Sequence, residues 1–200
     1  MSQACITTTL FDLFKVGPGP SSSHTIGPMK AGHHFAQNCL ELPRDVRVRA
    51  ARFRVRLYGS LSATGTGHGT DAAVVAGLLG NAPEDCPPSL LQTLMDNPHT
   101  PHTRPLGDGE VTVSVSDVIH DAVIHDFPYS NTLVIELTDE AGNTLYLQEY
   151  YSVGGGFIQW KGWVAPELGE PVHRYSNMTE LRAIVKEKGL NIYEIILDNE

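Results

Sequence analysis

The fold is decided by residues 51–79, which read ARFRVRLYGSLSATGTGHGTDAAVVAGLL. Apolar side chains alternate with arginines in the first part, and this period of two predicts a half-buried β-strand over Val46–Tyr58 with its arginine face outward. The apolar run after Asp71 predicts a short helix over residues 72–79, ended by Gly80. Residues 59–71 between them are polar and rich in glycine. The stretch therefore predicts a strand, a loop and a helix.

Further elements are predicted on both sides of this stretch. After the apolar residues Leu10–Phe14, alternating glycines and prolines predict a tight turn, and apolar residues at helical spacing predict a helix from Pro28 to Leu40. Toward the C-terminus, the patterns predict strands and helices in a mixed order. The strands are expected over 111–115, 133–138 and 145–153, and the helices over 89–95, 179–188 and 192–197. The chain end cuts off the last helix, a hairpin turn is predicted at 139–143, and a loop at 97–109.

Length and composition exclude several classes of protein. With 200 residues, 41% hydrophobic and 18% charged, the chain is globular and fits one main domain, with room for a small satellite. No run approaches the ~18 to 20 apolar residues of a membrane span, and the N-terminus lacks a secretory signal, so we expect a cytoplasmic protein that enters no membrane. The three cysteines, Cys5, Cys39 and Cys86, have no metal or redox spacing and are expected to be free thiols.

Charge is distributed unevenly along the chain. Residues 1–60 contain eight Lys/Arg and three Asp/Glu, whereas the rest contains six and twenty. An anion-binding surface is therefore expected in the first third. The arginines from Arg44 to Arg56 raise the alternative of nucleic-acid binding, but they are confined to one strand with only Tyr58 interleaved. We expect a solvated or partner-facing strand edge and no nucleic-acid partner.

A first motif places five polar side chains just before the start of the predicted helix at Pro28. They are Ser21, Ser22, Ser23, His24 and Thr25. A helix start offers unpaired N–H groups and the positive end of the dipole, which favour a carboxylate or a phosphate. The motif suits the carboxylate of an amino acid. The alternative is that one serine caps the helix and the others lie in a plain loop.

A second motif surrounds His68 in the glycine-rich segment. Glycines let the backbone approach a ligand closely, Ser62, Thr64 and Thr66 supply hydroxyls, and Asp71 lies near the next helix start. A histidine titrates near neutrality, so His68 is a candidate general base. The alternative is a histidine that only hydrogen-bonds the loop backbone. The segment matches neither a Walker loop nor the dinucleotide fingerprint.

Two weaker motifs flank predicted strands. Tyr129 and Asn131 stand just before one strand, and Ser152 with the glycines 154–156 ends another. The triple glycine marks backbone that turns sharply or lets a ligand come close. For each motif taken alone, a plain turn is the alternative.

The motifs together resemble a known family. Residues 11–32, FDLFKVGPGPSSSHTIGPMKAG, closely resemble the opening of the bacterial iron–sulfur L-serine dehydratases, also called L-serine deaminases. Further matches follow in the family's order: Gly59-Ser60-Leu61, Gly67-His68-Gly69-Thr70-Asp71, Tyr151 to Ile158, and a final segment from Ile195 to Glu200. The resemblance spans residues 10–200.

The resemblance implies an α+β fold, a mixed β-sheet packed with helices and similar to the substrate-binding regulatory domain of some D-3-phosphoglycerate dehydrogenases. Residues 1–200 are then the family's beta domain. A cluster-bearing alpha domain or subunit, which this chain lacks, holds a [4Fe-4S] cluster in that family. The implied reaction converts L-serine to pyruvate and ammonia, in amino-acid degradation and gluconeogenesis, with a cluster iron acting as Lewis acid on the leaving hydroxyl. The isolated chain is expected to be inactive.

The resemblance also assigns roles within the site. The histidine matching His68 is the family's base for the α-proton of serine, and we expect the serine motif and the His68 segment to lie side by side. The candidate substrate-binding residues are Ser21, Ser22, Ser23, His24, Thr25, Thr70, Asp71, Tyr129, Asn131 and Ser152. The family usually has a histidine where this chain has Tyr129, which donates a hydrogen bond but carries no charge. The alternative function is a regulatory module that senses serine or another small carboxylate and needs no base. A homodimer is compatible with either function.

Overall fold

The computed structural model describes residues 14–165 and 169–200. The chain divides into two compact units, and the larger one, Val16–Trp163, contains every described strand. The smaller unit contains the described residues from Val164 onward. Cys5 and most of the predicted apolar stretch Leu10–Phe14 lie outside the described residues. The assignment of residues 1–200 to one beta domain stays a prediction.

Seven strands form one mixed sheet in the described residues. They are β1 (Arg52–Tyr58), β2 (His102–Leu106), β3 (Gly109–Val113), β4 (Val118–His120), β5 (Asn131–Thr138), β6 (Thr144–Gly154) and β7 (Phe157–Trp160). Their order is β2-β3-β1-β5-β6-β7, with β4 also paired to β1. β1 runs parallel to β3 and β4 and antiparallel to β5, and the remaining pairs are antiparallel. The prediction of an α+β fold with a mixed sheet packed with helices is confirmed.

Seven α-helices accompany the sheet in the described residues. They are α1 (Gly27–Leu40), α2 (Arg44–Arg47), α3 (Gly59–Thr64), α4 (Thr70–Leu78), α5 (Leu90–Asp96), α6 (Met178–Lys188) and α7 (Ile192–Asp198). A single π-helical turn, Ser22–Ile26, runs into α1 without a break, and Pro28 lies in the first turn of α1 as predicted. α7 ends at Asp198, with Asn199 as its C-cap.

In β1, apolar residues alternate with arginines, which gives the strand one buried face and one exposed face. Phe53, Val55 and Leu57 are fully buried and join the side chains of α1 and α4 in one apolar core, while the intervening arginines are exposed. The outward arginine face is therefore confirmed. Because β1 lies between β3 and β5, its arginines belong to a face of the sheet, and the prediction of a strand edge is wrong.

The segment before α4 differs most from its prediction. Residues 59–71 were expected to form a loop, but they form α3, a 3₁₀ turn over Gly65–His68 and the start of α4. Two of the glycines, Gly59 and Gly69, stand at junctions between elements. Gly59 turns the chain from β1 into α3 with φ +54, and a Cβ there would lie 2.2 Å from the carbonyl oxygen of Ser130. A glycine-rich composition thus marks sharp junctions here, and the residues between them are helical.

Other differences concern short strands and their boundaries. Val46 lies in α2, so the predicted strand over Val46–Tyr58 begins only at Arg52. The predicted loop over 97–109 contains β2, which tolerates Pro105 because it is an edge strand with no neighbour on one side. β4 and β7, of three and four residues, had no predicted counterpart.

The smaller unit contains the last two helices. α6 begins after Asn177, whose side chain accepts hydrogen bonds from the N–H groups of Thr179 and Glu180, and it ends at Gly189 as predicted. α7 begins with a capping box between Asn191 and Glu194. Among the described helices of both units, none combines the length and the apolar composition that crossing a membrane requires.

Candidate active site

Two histidines from distant parts of the sequence lie side by side. His24 comes from the π-helical turn before α1, and His68 ends the 3₁₀ turn between α3 and α4. Their ring centroids are 5.1 Å apart, with an angle of 39° between the ring planes. The prediction that the serine motif and the His68 segment lie next to each other is confirmed.

Two crossed hydrogen bonds hold these segments together. The Thr25 hydroxyl donates to the carbonyl oxygen of His68 at 3.0 Å, and the Thr70 hydroxyl donates to the carbonyl oxygen of His24 at 2.6 Å. Both threonines have 0% exposure. Each hydroxyl is therefore bound to the backbone of the opposite segment, away from solvent.

The ring of His24 lies between two serine hydroxyls. Its Nδ1 is 2.9 Å from Ser23 Oγ, and its Nε2 is 3.0 Å from Ser60 Oγ. Burial lowers the pKa of His24 below its ordinary value, and the nearby His68 lowers it further, while a hydrogen bond to Ser60 acts in the opposite direction. The ring is consequently biased toward its neutral form.

The ring of His68 is fixed through one nitrogen. Its Nδ1 lies 3.0 Å from the carbonyl oxygen of Thr64, one helical turn earlier. A carbonyl only accepts hydrogen bonds, so in the neutral ring Nδ1 carries the proton and Nε2 carries the lone pair. Nε2 has no hydrogen-bond partner among the described residues. This is the tautomer that a general base requires.

The three serines of the first motif have different neighbours. Ser21 is the N-cap, and its Oγ accepts from the N–H of His24 at 3.1 Å, which confirms that one serine caps the helix. Ser23 contacts the His24 ring. The half-buried Ser22 makes no side-chain hydrogen bond within the part of the chain that the structure describes. Its hydroxyl is thus open to a ligand.

The start of β5 and the end of β6 lie against the serine motif. Ser152 Oγ donates to the carbonyl oxygen of Ser23 at 2.8 Å, and Asn131 Nδ2 donates to the carbonyl oxygen of Ser152 at 3.4 Å. Asn131 Oδ1 is buried and has no partner among the described residues. A buried amide oxygen without a donor is costly, so this atom is suited to accept a hydrogen bond from a ligand.

Tyr129 contacts the neighbouring strands. Its hydroxyl donates to Gln159 Oε1 at 3.1 Å, and its ring centroid lies 5.1 Å from that of Tyr151. The side chain is 41% exposed. These two contacts join Tyr129 to β7 and β6. Neither of them reaches the histidine pair. Its predicted role in substrate binding stays a prediction.

Asp71 is paired with a histidine that the sequence analysis missed. Asp71 Oδ1 lies 2.9 Å from Nε2 of His120, and the other ring nitrogen, Nδ1, lies 3.0 Å from the carbonyl oxygen of Ser62. Burial lowers the pKa of His120, but the hydrogen bonds to Ser62 and Asp71 and the charge of Asp71 outweigh it, so the pKa is raised. No sequence pattern indicated His120, because it ends β4, a three-residue strand that had no predicted counterpart.

Ser60 was also missed as a site residue. It stands within one of the segments that carry the family resemblance, directly after the glycine that turns β1 into α3. Its backbone N–H donates to the carbonyl oxygen of Ser130 at 2.9 Å, while its hydroxyl faces His24. A serine at the first turn of an unrecognised helix gives no sign in the sequence that it faces a histidine 36 residues away.

The described cysteines are buried thiols. Burial raises the pKa of Cys39 to about 12 and also raises that of Cys86, which disfavours the thiolate that binds metals. In the described residues, no group of three His, Cys, Asp or Glu side chains is arranged to hold a metal ion. These residues therefore do not fit an iron–sulfur cluster.

The fold and the site together define an α+β domain with a pair of histidines beside a hydroxyl-rich helix start. The family described as serine dehydratase beta chain matches residues 9–163. Because this match covers more than half of the chain, the chain belongs to the serine dehydratase beta chain family.

Curated relatives extend the similarity beyond residue 163. The chain is 34% identical over 198 residues to the L-serine dehydratase of Haemophilus influenzae and 36% identical over 200 residues to L-serine dehydratase 2 of Escherichia coli. It is 37% identical over 205 residues to the L-serine dehydratase of Streptomyces coelicolor. Each alignment covers 96% of this chain and 43% of the relative, so the chain spans less than half the length of these relatives.

Proposed function

We propose that this chain is the substrate-binding part of an L-serine ammonia-lyase, which converts L-serine to pyruvate and ammonia. The observation that carries the proposal is the contact between Nδ1 of His68 and the carbonyl oxygen of Thr64, which assigns the proton to Nδ1 and leaves Nε2 as a base beside His24 and the serine motif. Elimination of the serine hydroxyl requires a base at the α-carbon and a site that holds the carboxylate. The relatives, each named L-serine dehydratase, support serine as the substrate.

In this proposal, the start of the π-helical turn binds the substrate carboxylate. The first N–H groups of a helix have no partner inside it, and the dipole favours an anion there. The hydroxyl of Ser22 donates a further hydrogen bond. Asn131 Oδ1, buried without a donor among the described residues, accepts from the substrate ammonium. The two ends of the amino acid are thereby distinguished by donors on one side and an acceptor on the other.

His68 then takes the α-proton at Nε2. As the ring becomes cationic, its Nδ1–H remains bonded to the carbonyl of Thr64, which stabilises the charge without moving the ring. His24, held neutral between Ser23 and Ser60, presents no positive charge that would oppose this protonation. The pair therefore divides into one base and one neutral hydrogen-bonding ring.

Some predicted substrate contacts have a positioning role in this proposal. Thr25 and Thr70 are buried and bound to backbone carbonyls, and Ser152 is 2% exposed and bound to the carbonyl of Ser23. Asp71 is bound to His120. These four side chains act by fixing the segments that carry His24 and His68. Direct contacts are assigned to the three serines of the first motif, His24, His68 and Asn131.

The [4Fe-4S] cluster that the family resemblance implies does not fit the described residues, which hold no arranged set of ligands and only buried cysteines. We propose a cluster-bearing alpha domain or subunit as the partner that supplies Lewis-acid chemistry at the serine hydroxyl. Without this partner the isolated chain is expected to bind serine weakly and to release no pyruvate.

The broader assignments follow from the same proposal. The protein is cytoplasmic, takes part in amino-acid degradation and gluconeogenesis, and its fold is similar to the substrate-binding regulatory domain of D-3-phosphoglycerate dehydrogenases. A homodimer is compatible with the proposal, and neither a membrane nor a nucleic acid is a partner. The arginines of β1 support the last point, since Arg52 is bound to Asp117 and the acidic Glu136 lies opposite Arg54 on β5.

The decisive experiment replaces His68 in the complete enzyme. Losing a general base lowers rates by about 10² to 10⁴, so His68→Ala and His68→Asn should lower kcat by that order while the visible absorption of the cluster is unchanged. Pyruvate formation measures the rate. His99→Ala, at an exposed position outside the site, is the control and should retain full activity.

Two results would change the role proposed for His68 or the function proposed for the chain. If kcat survives in His68→Ala and only KM rises, His68 is a binding residue, and the base comes from His24, Tyr129 or the partner domain. If the chain binds serine and alters a partner's activity while His68→Ala has no effect on turnover, the alternative of a regulatory module is correct.

A further inference from the structure

His120 stands between two helices that flank the candidate base. It is the last residue of β4, and its ring reaches the C-terminal half of α3 through Ser62 and the first turn of α4 through Asp71. The segment between those two contacts is the 3₁₀ turn that carries His68. The ring also packs on that turn, since a Cβ on Gly65 would lie 3.5 Å from its Cε1.

Both neighbours of the His120 ring are hydrogen-bond acceptors. The carbonyl of Ser62 only accepts, and the carboxylate of Asp71 accepts when it is ionised. Satisfying both requires a proton on each ring nitrogen, which makes the ring an imidazolium paired with a carboxylate. The side chains of His120 and Asp71 are 28% and 19% exposed, so the pair is partly shielded from water and its hydrogen bonds are correspondingly stronger.

We propose that the His120 imidazolium is a positioning residue for His68, acting as a brace that fixes α3 to α4. The brace sets the distance between Ser62 and Asp71, and therefore the shape of the turn between them. His68 depends on that shape because its ring is held by Thr64, two residues after Ser62. This proposal rests on the proposed function only in calling His68 the base.

The proposal also accounts for the choice of residues in the brace. A lysine carries the charge but cannot place two donors at the two fixed angles of an imidazole ring. An asparagine or a glutamine reaches only one of the two acceptors, since each has a single amide nitrogen. A protonated histidine, by contrast, donates to the carbonyl of Ser62 from one ring nitrogen and to the carboxylate of Asp71 from the other.

The experiment uses a graded series of variants at His120. His120→Asn keeps a donor near the Nδ1 position and so keeps the bond to Ser62, His120→Gln keeps a donor near Nε2 for Asp71, and His120→Ala loses both. His125→Ala is the matched control, because it removes another histidine paired with an aspartate, Asp121, a few residues along the chain. The Asn and Gln variants keep the test valid if His120→Ala does not fold.

The first measurement needs no catalysis. Two-bond ¹H–¹⁵N NMR spectra of the isolated chain report which ring nitrogens carry protons. We expect an imidazolium pattern for His120 and an Nδ1–H pattern for His68 in its neutral form. In the His120 variants the His68 signals should shift toward a mixture of tautomers, while His125→Ala leaves them in place. Unchanged His68 signals in every folded His120 variant would overturn the proposal.

The second measurement is the activity of the complete enzyme. A base displaced by about 1 Å costs up to roughly 10²-fold in rate, so His120→Ala should lower kcat about 10- to 100-fold with little change in KM, and the Asn and Gln variants should lie between it and wild type. A kcat equal to that of wild type in His120→Ala would overturn the proposal. If the NMR shifts occur but His68→Ala has the kcat of wild type, His120 still positions His68, and the proposal that His68 is the base is wrong.

Discussion

At the residue scale, Thr25 and Thr70 determine how the two histidines meet. Their hydroxyls bond the carbonyls of His68 and His24 across 43 and 46 positions of sequence. Because both hydroxyls donate to backbone carbonyls, the ring nitrogens of His24 and His68 can bond to other partners. The placement of the histidine pair therefore depends on two residues that have no exposed surface.

Replacing Thr70 by valine should destabilise the fold. Valine has nearly the same shape but no hydroxyl, so the carbonyl of His24 loses its donor, which costs about 1–3 kcal/mol when the group is buried. Urea denaturation of the isolated chain should show a fall of that size in the free energy of unfolding. Thr70→Ser keeps the donor and should lose less. Equal stability of Thr70→Val and wild type would mean that another donor satisfies the carbonyl.

The raised pKa of His120 predicts a specific pH dependence of stability. A histidine whose pKa is higher in the folded state contributes stability fully below its unfolded pKa, about 6.5, and loses it as pH rises through the folded value. The difference in unfolding free energy between wild type and His120→Gln should therefore be largest at acidic pH and shrink above neutrality. Urea titrations between about pH 5 and pH 9 test this. A difference that grows with pH would contradict it.

The residues of the site were predictable to different degrees. His24, His68 and the serines stand in compact motifs, so their type and spacing alone indicated chemistry. Ser60 and His120 were not predictable, because their roles arise only when α3 folds and β4 pairs with β1. The burial of Thr25 and Thr70 was equally hidden, since a hydroxyl beside a catalytic motif looks the same in sequence whether it faces a ligand or a carbonyl.

At the scale of elements, the site depends on how closely α1 approaches α4. Gly32 of α1 lies against the backbone of α4, and Gly77 of α4 lies against the backbone of α1. A Cβ on Gly32 would be 2.4 Å from the carbonyl oxygen of Val74, and one on Gly77 would be 2.1 Å from that of Met29. The two helices begin close to His24 and His68, so their contact sets the spacing of the two motifs.

Gly77→Ala should separate these helices and lower stability. In an isolated helix alanine is favoured over glycine by about 1 kcal/mol, but here the methyl group collides with backbone, and overpacking costs about 1–3 kcal/mol. We expect a net loss in the free energy of unfolding, measured by urea denaturation. Gly67→Ala is the control, because no atom lies within 4 Å of its added Cβ. A Gly77→Ala chain more stable than wild type would show that the helices separate without cost.

The elements with strong periodicity were predicted, and those defined by pairing were not. α1 and β1 carry long regular patterns, whereas β4 and β7 are too short to show a period and exist because β1 and β6 lie beside them. α3 was missed because its polar residues and flanking glycine are also typical of loops. Its helical state depends on tertiary contacts, including the bond from the N–H of Ser60 to Ser130.

At the scale of the whole molecule, the site and the sheet belong to one unit. Every residue of the apolar core cluster lies between Met29 and Trp160, inside the unit Val16–Trp163. His24, His68 and His120 lie in the same range. The match to the family ends at residue 163, where this unit also ends. Sequence similarity to the relatives continues beyond that point, so the smaller unit is a shared part of those proteins.

A chain shortened to end at Trp163 should therefore fold with its site intact. It keeps the complete core cluster and all strand pairs, and a domain of this size buries enough surface to be stable alone. Urea unfolding of the shortened chain should be a single cooperative transition, with an m-value in proportion to the surface that its unfolding exposes. The NMR signals of His24 and His68 should match those of the full chain, because the hydrogen bonds and the ring contact that hold the two histidines are made by residues of the unit Val16–Trp163. A shortened chain that unfolds without cooperativity would show that the smaller unit is needed to complete the fold.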